Sequence, residues 1–128
     1  MQEKDFQRKF NKWLRYNWKN SGAFELKITK TGSLPFMALK EHQKIALLQV
    51  KHRELAFKIP DDSRGSKPFD TMFYKKADAY VVVMFYTRGT KEFFIIDIDN
   101  WCKAEMESKR ASLTEEKARE IGLALYLK

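Results

Sequence analysis

Between residues 4 and 18, Phe6, Phe10 and Leu14 recur every four positions with Trp13 and Asn17 beside them, and Arg8, Lys12, Arg15 and Lys19 fill the other side. That spacing predicts a helix with one apolar and one cationic face, stopped by the Asn20-Ser21-Gly22 signal. From Ala23 to Thr29 the period changes to two: Phe24, Leu26 and Ile28 alternate with Glu25, Lys27 and Thr29, which predicts a strand. Thr31-Gly32-Ser33 breaks it, and Pro35 keeps Leu34 out of helix. Residues Glu41 to Val50 return to helical spacing, with Gln43, Ala46, Leu47 and Val50 on one face and Ile45 and Leu48 elsewhere. A short strand is expected from Glu54 to Ile59, followed by the turn-rich stretch from Pro60 to Pro68.

Residues Asp78 to Thr87 are too apolar to alternate, as a central strand would be. Arg88-Gly89-Thr90 turns the chain back into Glu92 to Ile98, predicting a hairpin. Ser112 and Glu115 have capping-box spacing and open an expected final helix in which Ala118, Ile121, Leu125 and Leu123 pack inward. The expected order, α–β–α–β–loop–β–β–α, describes one α/β (α+β) domain over residues 1–128, with a central mixed β-sheet flanked by helices.

Charge adds to this picture. The 128 residues carry a net +8. Residues 1–60 hold 13 basic and 5 acidic side chains, whereas residues 61–128 hold 12 of each, so the whole excess lies in the first half. A localised positive field suits a polyanion better than a small neutral substrate. One cysteine, Cys102, excludes an internal disulfide, and with His42 and His52 alone beside it there is no zinc cluster and no paired thiol nucleophile. The longest apolar run, Ala79 to Tyr86, is far short of the ~20 residues that span a bilayer. The N-terminal Gln, Glu, Lys and Asp form no secretory segment. The expectation is a soluble cytoplasmic protein (host cytoplasm if viral, and the small basic chain would suit a phage) with no membrane partner.

The chemistry centres on Glu25 and Lys27. Two apart on a strand, they project from one face. A carboxylate is a hard donor for Mg²⁺, and an ammonium beside it orients water or neutralises charge growing on a phosphate. A glutamine near a helix start commonly faces water or satisfies a free backbone N–H, but Gln43 sits where the apolar stripe of its helix calls for a hydrophobic residue, so its amide needs a partner, which a site on the adjoining strand would supply.

The segment Phe24-Glu25-Leu26-Lys27, the following Thr-Lys-Thr-Gly-Ser-Leu-Pro-Phe (29–36) and Lys40-Glu41-His42-Gln43 resemble the PD-(D/E)XK nuclease superfamily, and within it the RecU-like and archaeal Holliday junction resolvases. The matching stretch covers about residues 23–50. The resemblance implies a restriction-endonuclease-like core and a metal-dependent endonuclease, with Glu25 as metal ligand, Lys27 as catalytic lysine and Gln43 in support. It departs in one respect. The family's Asp precedes Glu-x-Lys, but here only Glu3 and Asp5 do, both at the start of a helix. The best substitute is Asp70, in Lys67-Pro68-Phe69-Asp70, where Pro-Phe-Asp resembles the Asp motif displaced to a later strand or loop; a turn residue after a proline is the competing account, and failing Asp70 the candidates are Asp61, Asp62 and Asp78, or a degenerate site.

Asp97 and Asp99 share a face at a strand end and read as a turn signal with Asn100 rather than as metal ligands. Lys40, Lys44, Lys51 and Arg53, with Arg64 and Lys67 in the loop, are the expected phosphate contacts. Phe36 and Phe73 or Tyr74 are candidates for stacking on exposed bases. The leading expectation is an Mg²⁺- (or Mn²⁺-) dependent deoxyribonuclease acting on branched or recombination intermediates such as Holliday junctions. Cutting a junction on two strands would call for a homodimer. The alternatives are a catalytically inactive nucleic-acid-binding protein of the same fold, motivated by the misplaced Asp, and a protein-interaction domain meeting an acidic partner.

Overall fold

The computed structural model describes residues 1–58, 69–87 and 89–127. In chain order the elements are α1 (Glu3–Asn17), β1 (Gly22–Thr29), β2 (Ser33–Pro35), a 3₁₀ turn (Phe36–Ala38), α2 (Glu41–His52), β3 (Leu55–Lys58), β4 (Thr71–Tyr74), β5 (Asp78–Phe85), β6 (Glu92–Asp97), α3 (Ile98–Glu107), β7 (Ser112–Thr114), α4 (Glu115–Ile121) and β8 (Leu123–Tyr126). The architecture is α+β, with a four-stranded mixed sheet of order β1–β5–β6–β8 and helices on both faces, as the sequence led us to expect. β1 runs parallel to β5, and the other two pairings are antiparallel. β2 pairs with β7 and β3 with β4 in two small ribbons.

Alternation along the strands sorts the core into two layers. Leu26, Val82, Met84 and Phe93 face α1, which buries Phe6 and Phe10 against them. Val81, Val83, Phe94 and Ile96 face the other way, onto Leu47 of α2, Trp101 of α3 and Ala118 of α4. β5 is buried on both sides, which is why its sequence does not alternate. The β5–β6 hairpin closes through Gly89, whose φ of 74° lies where a side chain would be strained.

Five expectations are corrected. α1 ends at Asn17 with extended Trp18 at its C-cap; Gly22 instead opens β1, where a Cβ would come 3.1 Å from the Asp78 carbonyl oxygen. The strand expected to run to Ile98 stops at Asp97, and Ile98 begins α3, a helix not expected from the pattern. Ser112 caps nothing: it lies in β7 opposite Pro35, and the cap of α4 is Thr114, whose hydroxyl accepts the Lys117 N–H at 3.1 Å. Leu123 and Leu125 belong not to a helix but to β8, opposite Ile95 and Phe93. A further strand, β4, pairs antiparallel with β3 over residues 71–74, where the sequence pattern predicts none.

Candidate functional site

Because Phe24, Leu26 and Ile28 turn toward α1, Glu25 and Lys27 must turn toward α2. They do so beside Val81 and Val83 of β5, on a strand that forms one edge of the sheet. Lys27 Nζ lies 3.4 Å from Glu25 Oε1, with the lysine side chain 13% exposed and the glutamate 30%. The carboxylate is therefore accessible from a wall that is otherwise apolar.

α2 starts immediately over this pair. Its Gln43 donates from Nε2 to Glu25 Oε1 at 3.0 Å and accepts the Lys40 backbone N–H on Oε1, also at 3.0 Å. One amide thus satisfies a free N–H of the helix start and clamps the carboxylate, so both partners expected for Gln43 are present together. The turn between β1 and β2 is fixed by hydroxyls: Thr29 and Thr31 both donate to the Ser33 carbonyl, at 3.1 and 2.8 Å. This holds the connection that delivers α2 to the end of β1.

The other candidates are dispersed. Asp70 is exposed and stands just before β4; the interactions described for Glu25 run to Lys27 and Gln43, and none of them to Asp70. Asp78 is exposed at the start of β5, opposite Gly22. Asp61, Asp62, Arg64 and Lys67 lie outside the described residues. Lys40 and Arg53 are exposed at the two ends of α2. Phe36 is buried, with its ring edge-on to Trp101 at 5.4 Å, which removes it as a base-stacking candidate; Phe73 is 58% exposed.

Lys44 and Lys51, two of the expected phosphate contacts, are each paired with carboxylates within the fold. Lys44 Nζ lies 2.8 Å from Glu105 of α3 and 3.4 Å from Glu41. Lys51 Nζ lies 2.7 Å from both oxygens of Asp97 and 2.6 Å from Asp99. The bond to Glu105 holds the Lys44 ammonium above its ordinary value, and the bond to Asp97 does the same for Lys51. Lys51, and after it His52, holds the Asp99 carboxyl below the usual range. Asp97 also accepts the Asp99 N–H at 2.8 Å as the N-cap of α3, so the Asp97-x-Asp99 pair is a helix cap and a counterion set rather than a turn. The signal for this was legible in part: an Asp followed by Ile98, Trp101 and Cys102 is a capped amphipathic start.

Sequence reasoning also missed Glu92, which is buried at 4% exposure in β6. Arg119 of α4 donates to it from both terminal guanidinium nitrogens, Nη1 at 2.9 Å, and lies 5.1 Å over the Phe94 ring. Among the described residues no group of three or more His, Cys, Asp or Glu is placed to hold a metal ion, and no helix is long and apolar enough to cross a membrane. No family model, no curated protein and no solved structure matches this chain.

Proposed function

We propose that the chain is a metal-dependent DNA endonuclease of the PD-(D/E)XK type, acting on branched or recombination intermediates as a homodimer in the cytoplasm. The observation that carries this reading is the Glu25–Lys27 pair on one strand face with the Gln43 amide fixed on the carboxylate at 3.0 Å. Mg²⁺ fits such a donor set, because it is held through one or two carboxylates and completes its shell with water and substrate phosphates. Both described contacts of Glu25 fall on Oε1, so Oε2 takes part in neither. Glu25 would supply one ligand; the resemblance assigns the second to Asp70. When bound, the ion would polarise the phosphoryl oxygens and lower the pKa of water.

The residues of the chain do the rest. Gln43 keeps the Glu25 carboxylate in one rotamer, so it is pre-oriented before substrate arrives. Lys27, largely shielded by the strand and by α2, places a positive charge where negative charge grows on the phosphate during in-line displacement. Lys40 and Arg53, exposed at either end of α2, would hold the flanking backbone.

A binding protein without hydrolysis is the second reading, supported by one observation: the Lys27 ammonium is already ion-paired to Glu25. Cleavage of labelled four-way-junction, flap, duplex and single-stranded DNA, with Mg²⁺ or with EDTA, separates the two. Metal-dependent cutting that disappears in Lys27→Ala and falls in Asp70→Asn is expected. Salt-dependent binding without cutting on every substrate would falsify the endonuclease and leave the binder.

A further inference from the structure

A groove of about 440 Å³ runs between α1 and the edge strand β8, lined by Lys9, Lys12, Trp13, Tyr16, Tyr126 and Leu127. It is remote from Glu25 and Lys27. α1 covers the opposite face of the sheet, and β8 is the edge three strands away from β1, about 14 Å at ordinary strand spacing. Helical spacing aligns its polar side: Lys9, Lys12 and Tyr16 stand at i, i+3 and i+7. Trp13, stacked on Phe10 at 5.7 Å and edge-on to Phe93 at 5.2 Å, forms a rigid part of the lining. Tyr16 is 78% exposed, a large ring left in water.

The charge around the groove is one-sided. α1 bears Lys4, Arg8, Lys9, Lys12 and Arg15 against Glu3 and Asp5. Asp5 is paired with Arg8 at 3.7 Å, and among the described residues neither Lys9 nor Lys12 is in an ion pair. Two unpaired cations followed one turn on by a flat exposed ring match a chain that offers both phosphates and flat bases. A duplex keeps its base faces stacked inside and offers Tyr16 nothing. An acidic peptide would use the lysines and leave the ring idle.

We propose that the groove between α1 and β8 is a single-stranded nucleic-acid site, with Lys9 and Lys12 on successive phosphates and one base stacked on Tyr16. Its recognition does not depend on hydrolysis at Glu25 and Lys27, though both readings take nucleic acid as the partner.

The test is fluorescence anisotropy of the full chain with a labelled oligothymidylate of about 12 nucleotides. EDTA is present throughout, so cleavage plays no part in the result. Tyr16→Ala should weaken binding about fivefold or more, the loss expected for one stacked base. Lys12→Ala should reduce the salt dependence by about 0.7 in the log–log slope, one phosphate's share. Lys109→Ala, exposed in the turn after α3, should bind as the wild type does. Both groove positions tolerate truncation because they are exposed, and thermal melts by circular dichroism verify the fold. Absence of wild-type binding overturns the site, even where metal-dependent cutting is intact. So does unchanged affinity in Tyr16→Ala, which would reduce the groove to a general cationic surface. A dimer in sedimentation that dissociates in Tyr16→Ala would assign the groove to a second copy instead and also overturn it.

Discussion

Gln43 Nε2 lies 3.0 Å from Glu25 Oε1, so the first turn of α2 is bonded to the middle of the sheet's edge strand. The same side chain holds the Lys40 N–H, and it cannot satisfy both partners if it is shortened or made apolar. On the proposed endonuclease reading, Gln43→Leu is therefore expected to lower kcat/KM for DNA cleavage by about 10- to 100-fold, the usual effect of losing a group that orients a ligand. Gln43→Glu should be as poor or worse, since it places a second carboxylate against Glu25. Titrating the rate with Mg²⁺ checks this: an orientation defect raises the metal concentration at half-maximal rate.

Glu92 and Arg119 give the fold a pH dependence whose sign is fixed. Arg119 hydrogen-bonds the buried carboxylate and holds its pKa below the ordinary 4.5. The unfolded chain binds the proton more readily, so the stabilisation is fully present above about pH 4.5 and is lost as pH falls through the lower folded value. Urea midpoints measured from pH 7 down to pH 3 should drop in the wild type. Glu92→Gln should be less stable at pH 7, and its midpoint should fall less steeply on acidification.

Trp101 is fully buried, and its indole Nε1 has no hydrogen-bond partner among the described residues. Trp101→Phe keeps the packing against Phe36 and removes a buried donor that water would otherwise have solvated. It is expected to cost little, whereas Trp101→Ala should cost about 3–5 kcal/mol through the cavity it leaves. Equal losses in the two variants by chemical denaturation would contradict this.

Gly122 joins α4 to β8 at a point with no room for a methyl group. A Cβ there would meet Ile96 Cγ1 at 2.8 Å, the Ala118 carbonyl oxygen at 3.0 Å and the Ile95 carbonyl oxygen at 3.1 Å. Two of the three are backbone atoms that cannot rotate away. Gly122→Ala is expected to destabilise the chain by about 1–3 kcal/mol, the range for overpacking, read from the same denaturation curves.

Much of this was legible from spacing. Strict alternation over Ala23 to Thr29 placed Glu25 and Lys27 on one face, and the polar intrusion of Gln43 into an apolar stripe announced its bond to that face. What was hidden depended on pairing across long sequence separations. Ser112 satisfies the local rule for a capping box, but it stands opposite Pro35, 77 residues earlier, in the β2–β7 ribbon, and the cap moves to Thr114. Leu123-Ala124-Leu125-Tyr126 is a short apolar run with no periodicity to separate helix from strand, and the open position beside β6 decides it. The ion pairs of Lys44 with Glu105 and of Lys51 with Asp97 and Asp99 span 46 to 61 residues of sequence and end on the N-cap of α3 or within it, a helix the spacing does not predict.

α2 is anchored at both ends by different forces. Gln43 at its start is bonded to β1, and Lys51 near its finish is held by Asp97 and Asp99. Eight residues of helix separate the two points, about 12 Å of stiff rod at 1.5 Å per residue. The helix therefore behaves as a lever resting on an ionic fulcrum. Salt that screens the Lys51 contacts would weaken one of these two anchors, so ionic strength would bear on the scaffold of the candidate site as well as on any phosphate bound there.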